Sequence, residues 1–340
     1  MGLNFKPETR NARILSVGGY RPPRVVPNSE IIDKIDSSDE WIQQRTGIIT
    51  RHIADANESL IDMAAKASEI AIKRAGLTAK EIDAVIFATI TYPYQAPSAA
   101  TELIVRLDNP NMAAFDISAA CAGFCYGVGI ANDMVRNKTA TNVLVVGAEK
   151  LSDFTNPYDR ATSFIFADGA GAVVIGPSED VGIGPTIWGS NAETRDAISF
   201  SPSYLSFKDI QGAGDNVDWP NISQQGQTVF RWAVFELAPI ALKAIAAAGM
   251  KPEELAAFIP HQANERIIDS LAKSMKLPES VAIARDIRTT GNTSAASIPL
   301  AMDALLKENP LLHSKPALLI GFGAGLVYAS QVVELPPKEK

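Results

Sequence analysis

Residues 75–87 read AGLTAKEIDAVIF, and residues 248–260 read AGMKPEELAAFIP. Each stretch has a glycine stop, a short polar turn and an apolar strand. The helices that lead into them, SLIDMAAKASEIAIKRAG and AVFELAPIALKAIAAAG, carry apolar residues at helical spacing. They stop at Gly76 and Gly249, residues that enter the left-handed conformation ending many helices. A chain that repeats such a unit folds as two similar halves. The echo continues further along. AAFDISAAC ends in Cys121 and AIARDIRTTGN ends in Asn292, and TNVLVVGAEK in the first half matches KPALLIGFGAG in the second. Strands alternate with helices throughout, which predicts α/β layers. A pseudo-twofold axis brings matching loops together, so a site on that axis draws residues from both halves. The boundary falls after DGAGAVVIGPSED, giving an N-terminal half, 1–179, and a C-terminal half, 180–340.

Composition narrows the function. The chain of 340 residues is 46% hydrophobic and 20% charged, an ordinary globular balance with room for a large core. Its net charge of -7 argues against a nucleic-acid partner. The two cysteines, Cys121 and Cys125, are too close together to staple a fold of this size, which fits a reducing, cytoplasmic compartment. The three histidines are scattered, with no H-E-x-x-H and no paired C-x-x-C, so no metal is expected. MGLNFKPETRNAR lacks the apolar core of a signal peptide. ALLIGFGAGLVYA is too short and glycine-broken to span a bilayer, so no membrane partner is expected.

Candidate chemistry gathers at a few junctions. MAAFDIS reads as a buried strand and AGFCYGVGIANDMVRN as a buried helix, with Cys121 on the first turn between them. Free N–H groups and the helix dipole there favour an anion, so the Cys121 pKa is expected to fall. Cys125, one turn on, reads as packing. A nucleophilic cysteine needs a base or cation nearby. His261 follows a buried strand in FIPHQANERII, and Asn292 sits in the glycine-led turn of TTGNTSAASIPLA. Each has an ordinary alternative: an inert buried thiol, a core histidine bonded to backbone, a turn asparagine. His52 and His313 read as structural. GFGAGLVYAS lacks the G-x-G-x-x-G spacing and runs on into a strand, so it is no nucleotide fingerprint. Its backbone N–H groups can instead form half of an oxyanion hole. SSDEWIQQRTGI predicts a helix capped by Ser37 and Glu40 and stopped at Gly47. Trp41 and Arg45 share one face of it, able to sandwich a flat ring such as adenine or simply to pack.

Taken in order, SSDEWIQQRTGIITRHIA, AAFDISAACAGF, DRATSFIFADGAGAVV, IPHQANERIID, TTGNTSAASIPLA and GFGAGLVYAS resemble β-ketoacyl-[acyl carrier protein] synthase III, from about residue 12 to residue 335. VGGYRP, PTIWGS and VFRWAVFELA look most like actinomycete members. The resemblance implies a homodimeric thiolase fold, five layers αβαβα made of two duplicated halves. It implies a triad of Cys121, His261 and Asn292, and an oxyanion hole from the backbone N–H groups of Cys121 and Ala324. Trp41 and Arg45 match residues that hold the adenine of coenzyme A, and Arg160, Phe230 and Asn264 match others lining the pantetheine tunnel. Arg231, Arg266 and Lys273 match the basic rim that receives the carrier protein. Ala96 stands where some relatives carry a bulky aromatic that reaches across the dimer to close the acyl pocket. The implied activity joins a short acyl-CoA primer to malonyl-[acyl carrier protein] with loss of carbon dioxide, through an acyl-cysteine, with no cofactor beyond the coenzyme A thioester. Elongating synthases place a second histidine where Asn292 stands. Degradative thiolases place a second cysteine in the C-terminal glycine loop, and GFGAGLVYAS has none. The remaining alternative is a relative in secondary metabolism that keeps the triad and uses another acyl acceptor.

Overall fold

The computed structural model describes residues 8–213 and 216–339. Two sheets of five strands each form its frame. The first contains β1 (Asn11–Tyr20), β2 (Ala84–Ala88), β3 (Ala113–Ile117), β4 (Val143–Lys150) and β5 (Asp168–Ser178). The second contains β6 (Ile187–Ser190), β7 (Ala257–Pro260), β8 (Ala282–Ile283), β9 (Pro316–Gly323) and β10 (Val327–Glu334). The spatial orders are β3-β2-β4-β5-β1 and β8-β7-β9-β10-β6. In each, the first three strands are parallel and the last two antiparallel to their neighbours. The sheets therefore correspond strand for strand. β5 and β6 end and begin on either side of residue 180.

The main helices are α1 (Asp39–Thr46), α2 (Leu60–Arg74), α3 (Ala99–Arg106), α4 (Gly123–Arg136), α5 (Gly226–Ala247), α6 (Glu265–Ser274) and α7 (Ser297–Glu308). Phe124, Val128 and Val135 of α4 and Ile298, Ala301 and Met302 of α7 fill the space between the sheets. They pack on Ile86, Val145 and Val173 on one side and on Ile259, Leu319 and Ala329 on the other. The outer face of the first sheet is covered by α2 and α3, and that of the second by α5 and α6. Alternate residues of β4 serve the two faces: Val143 and Val145 turn inward, Leu144 and Val146 outward. Burial on both faces is why these strands read as unbroken apolar runs. The result is five layers, αβαβα.

Two local features interlock the halves. A Cβ on Gly147 of β4 would lie 2.2 Å from the Ala295 carbonyl oxygen. Only glycine lets the turn before α7 descend onto the first sheet at this point. Asn292 forms a parallel bridge with Phe166, which joins a second-half turn to the segment entering β5. One cap differs from expectation. The N-cap of α1 is Ser38, whose Oγ accepts from Trp41 N at 3.1 Å. Ser37 N is spent on the Ile32 carbonyl, closing the preceding short turn of helix, so the extended residue that can cap is the next one. Glu40 then falls one position short of a capping box. Gly47 ends the helix at φ 80°, as expected.

Candidate active site

β3 delivers its chain into a tight turn, Ala120–Ala122, that runs directly into α4. Ala120 holds φ 44°, a left-handed conformation that swings the next residue out of line. That residue, Cys121, is 9% exposed and faces a cavity of about 490 Å³. Cys125 is fully enclosed in the layer between the sheets and does not line the cavity. The end of β9 presses against Cys121: a Cβ on Gly323 would meet its N at 2.8 Å and its Sγ at 3.1 Å. Glycine there keeps the sulfur and its N–H clear. Ala324 follows and lines the same cavity.

His261 and Asn292 reach this cavity from the second half. His261 directly follows β7, and its N–H donates to the Ile320 carbonyl at 2.8 Å. Its Nδ1 lies 2.7 Å from Ser297 Oγ, which also accepts from Gln262 N at 3.3 Å. The hydroxyl proton has no other hydrogen-bond acceptor among the described residues, so it is directed to Nδ1. Nε2 then carries the ring proton. Burial pushes the imidazole pKa down to about 3, so the ring is neutral. Phe322 stands edge-on to it at 5.1 Å. Asn292 is held by backbone bonds to Ile165 and Ala167, both 2.9 Å. Its Oδ1 accepts from Ser294 N at 2.8 Å, which fixes the amide so that Nδ2 remains free to donate.

The thiol behaves otherwise than the sequence predicted. Burial pushes the Cys121 pKa up to about 12, against the lowering from a Ser294 hydroxyl hydrogen bond, and the Glu149 charge raises it further. The residue precedes α4 in a tighter turn instead of sitting in its first turn, and burial there is the largest cause of the shift.

Outward from the thiol, the cavity is lined by Phe230, Asn264, Arg160, Trp41 and Arg45, with Arg231 and Arg266 also on its wall. The guanidinium carbons of Arg45 and Arg160 lie 5.5 Å and 5.6 Å from the Trp41 ring centre. Arg266 stands over Phe230 at 5.0 Å. Asn264 caps α6 through Arg266 N at 2.9 Å and donates from Nδ2 to the Arg45 carbonyl at 2.9 Å, locking α6 to α1. Lys273 is exposed farther along α6 and does not line the cavity. Nor does Ala96, which is exposed in the loop between β2 and α3.

Sequence reasoning missed a buried polar group behind the triad. Glu149, at the end of β4, is fully buried. Its carboxylate accepts from Thr91 Oγ1 at 2.6 Å, Thr89 Oγ1 at 3.0 Å, Ser294 Oγ at 3.1 Å and Ile90 N at 3.2 Å. Desolvation still pushes its pKa up to about 7. The signal was a carboxylate closing an otherwise apolar strand, TNVLVVGAEK. Ser297, which orients His261, lay unread inside GNTSAAS.

Comparison with known proteins decides the family. Residues 115–192 match the 3-oxoacyl-[acyl-carrier-protein] synthase III model, and residues 245–335 match the model of its C-terminal part. Over 334 residues the chain is 55% identical to β-ketoacyl-[acyl-carrier-protein] synthase III 1 of Streptomyces coelicolor, covering 96% of each protein. This chain belongs to the β-ketoacyl-[acyl-carrier-protein] synthase III family. It is a condensing acyltransferase on the thiolase fold. Among solved structures, it superposes on the priming β-ketosynthase of the R1128 polyketide pathway with a TM-score of 0.95 at 42% identity, covering 100% of both chains. It superposes on 3-oxoacyl-[acyl-carrier-protein] synthase III of Aquifex aeolicus with a TM-score of 0.87 at 36% identity, covering 95% of this chain and 100% of that one. No helix among the described residues is long and apolar enough to cross a membrane.

Proposed function

We propose that this synthase III family member initiates type II fatty acid synthesis by condensing a short acyl-CoA primer, straight or branched, with malonyl-[acyl carrier protein]. The supporting observation is a single cavity with Cys121, His261 and Asn292 at its inner end and the Trp41, Arg45 and Arg160 stack along its wall. The primer's adenine stacks at Trp41, and its pantetheine passes Phe230 and Asn264. Cys121 attacks the thioester carbon and coenzyme A leaves. Malonyl-[acyl carrier protein] then docks its acidic surface on Arg231, Arg266 and Lys273. Loss of carbon dioxide leaves an enolate, whose oxygen accepts hydrogen bonds from His261 Nε2 and Asn292 Nδ2. The carbanion attacks acyl-Cys121. The tetrahedral oxyanion sits between the N–H groups of Cys121 and Ala324, donors typically worth about 3 kcal/mol each. The neutral histidine suits this role, because a donor is what a developing enolate needs. Beyond the coenzyme A thioester the reaction needs no cofactor and no metal, and it takes place in the cytoplasm.

A homodimer completes the proposal. β3 is an edge strand, with Phe115 on it 36% exposed and Val105 of the neighbouring α3 65% exposed. An uncovered edge of this kind invites a second copy to extend the sheet. Ala96 then lines an acyl pocket only across that interface. The likeness to the R1128 priming synthase favours a second reading, in which the same condensation serves a polyketide carrier protein.

The test is incubation with isobutyryl-CoA alone, followed by intact mass and peptide mapping. A single acyl group on Cys121 is expected. Label on Cys125, or none on Cys121, overturns the reading.

A further inference from the structure

Loading the primer requires that Cys121 lose a proton, and the ring that would ordinarily take it is poorly arranged to do so. Ser297 Oγ accepts from Gln262 N, and its proton has no hydrogen-bond acceptor among the described residues besides His261 Nδ1. The free nitrogen of the ring, Nε2, therefore bears hydrogen and can only donate.

Behind the thiol stands a different acceptor. Ser294 lines the cavity beside Cys121, and its hydroxyl donates to Glu149 Oε1 at 3.1 Å. We propose that Glu149, acting through the Ser294 hydroxyl, takes up the Cys121 proton as the primer is loaded and returns it to the departing coenzyme A sulfur. This rests on the function proposed above. The Sγ–H proton passes to Ser294 Oγ while the Ser294 proton passes to the carboxylate. The Sγ electron pair forms the new bond to the acyl carbon. The carbon–sulfur bond to coenzyme A breaks, and its electron pair goes to that sulfur. The proton then travels back through Ser294 to the coenzyme A thiolate, and the carboxylate is restored.

Charge favours this route. Passing the proton to His261 would create two charges from none in an enclosed site, which is costly. Passing it to Glu149 exchanges one buried anion for another. It also removes the negative charge that opposes the thiolate. Glu149 comes from the first half and Ser294 from the second, so the path crosses the same seam as the triad.

The groups facing the Glu149 carboxylate are the Thr89 and Thr91 hydroxyls, the Ile90 N–H, the Ser294 hydroxyl and, beyond it, the Cys121 thiol. Lys150, next along β4, turns away, to the Asp55 carbonyl at 3.3 Å and to Asp153 at 3.6 Å. Glu149 titrates near pH 7, so acylation should rise with pH through that range and level above it.

The experiment measures single-turnover acylation of Cys121 by isobutyryl-CoA against pH, and decarboxylation of malonyl-[acyl carrier protein], in wild type, Glu149→Gln and Ser294→Ala. Both variants should lose about 10²-fold or more in acylation. Glu149→Gln should lose the rise near pH 7, and decarboxylation should fall less than tenfold in each. Ser294→Ala keeps the backbone N–H that holds Asn292 Oδ1, so it decides the matter if Glu149→Gln does not fold. Wild-type acylation with variants within threefold of it overturns the relay alone. Equal losses in both half-reactions also overturn it, because that is the mark of a structural role. A wild type that takes no acyl group on Cys121 overturns the underlying reading of function instead.

Discussion

Glu149→Gln should make the protein more stable as pH rises, and the size of the gain follows from the buried carboxylate. Glutamate ordinarily titrates near 4.5, and burial raises Glu149 to about 7. A carboxylate with a raised folded pKa destabilises in one direction. Below about pH 4.5 it is protonated in both states and imposes no penalty. Between about 4.5 and 7 the unfolded chain ionises while the folded chain holds its proton, so stability falls as pH rises. Above about 7 the loss is complete. The gap from about 4.5 to about 7, at about 1.4 kcal/mol per pH unit, amounts to about 3 kcal/mol. Glutamine is nearly isosteric and never ionises, so the variant escapes this loss. Its altered hydrogen bonding to Thr89, Thr91 and Ser294 adds a term that does not vary with pH. For 340 residues the unfolding entropy is about 0.7 kcal/mol per degree, so the pH-dependent gain should be about 4–5 °C in Tm. The assay is calorimetry of both proteins at pH 4 and pH 8, at equal protein concentration. The difference in Tm, variant minus wild type, should increase by that amount. A difference that stays flat or shrinks would refute the reasoning, because it would mean that the folded carboxylate is solvated.

Ser297→Ala removes the donor that fixes the His261 tautomer; malonyl decarboxylation should fall at least tenfold, with primer acylation changed much less, and an unchanged decarboxylation rate would mean that Nε2 needs no such support. Reversing charge with Arg231→Glu or Arg266→Glu should raise the Michaelis constant for the malonyl carrier and blunt its salt dependence, leaving acyl-CoA acylation nearly intact; equal loss in both half-reactions would assign these arginines to the coenzyme A passage. Ala96→Phe should cut the isobutyryl-CoA to acetyl-CoA efficiency ratio severalfold to a hundredfold, the range that about 1–3 kcal/mol of overpacking allows; an unchanged ratio would remove Ala96 from the acyl pocket of any dimer.

The duplication was the most legible feature because both copies keep the same order of glycine stop, turn and buried strand. Residues 75–87 and 248–260 lead into β2 and β7, which occupy the same place in the two sheets. Caps were less legible. Ser37 and Ser38 are chemically identical, and only the bond from Ser37 N to Ile32 selects the second. The Cys121 pKa was misjudged for a related reason. A local sequence shows the helix that follows but not the enclosure above it, and here enclosure dominates. Glu149 was invisible as a partner of the cysteine because the two are brought together by the pairing of β4 beside β2, with Ser294 arriving from the other half.

The correspondence of the sheets explains how labour is divided in the site. Functional groups in parallel α/β sheets gather at the carboxyl ends of the strands. Here six such ends converge. β3 leads to Cys121 and its counterpart β8 to Asn292; β2 leads to Thr89 and Thr91, and its counterpart β7 to His261. β4 carries Glu149 near its end, and its counterpart β9 ends at Gly323, followed by Ala324. The first half thus supplies the groups that carry or give up negative charge, a thiol and a carboxylate. The second supplies neutral donors: imidazole N–H, amide and backbone N–H. Cys121, His261 and Asn292 are buried, so a cation opposite the thiol would itself need desolvating. Neutral donors avoid that cost and still stabilise an enolate or a tetrahedral oxyanion as it forms. Favouring the thiolate form of Cys121 with a buried cation, as Asn292→Lys would, should therefore ease primer loading while weakening decarboxylation. An Asn292→Lys protein that decarboxylates at the wild-type rate would show that net charge, and not aligned neutral donors, stabilises the enolate.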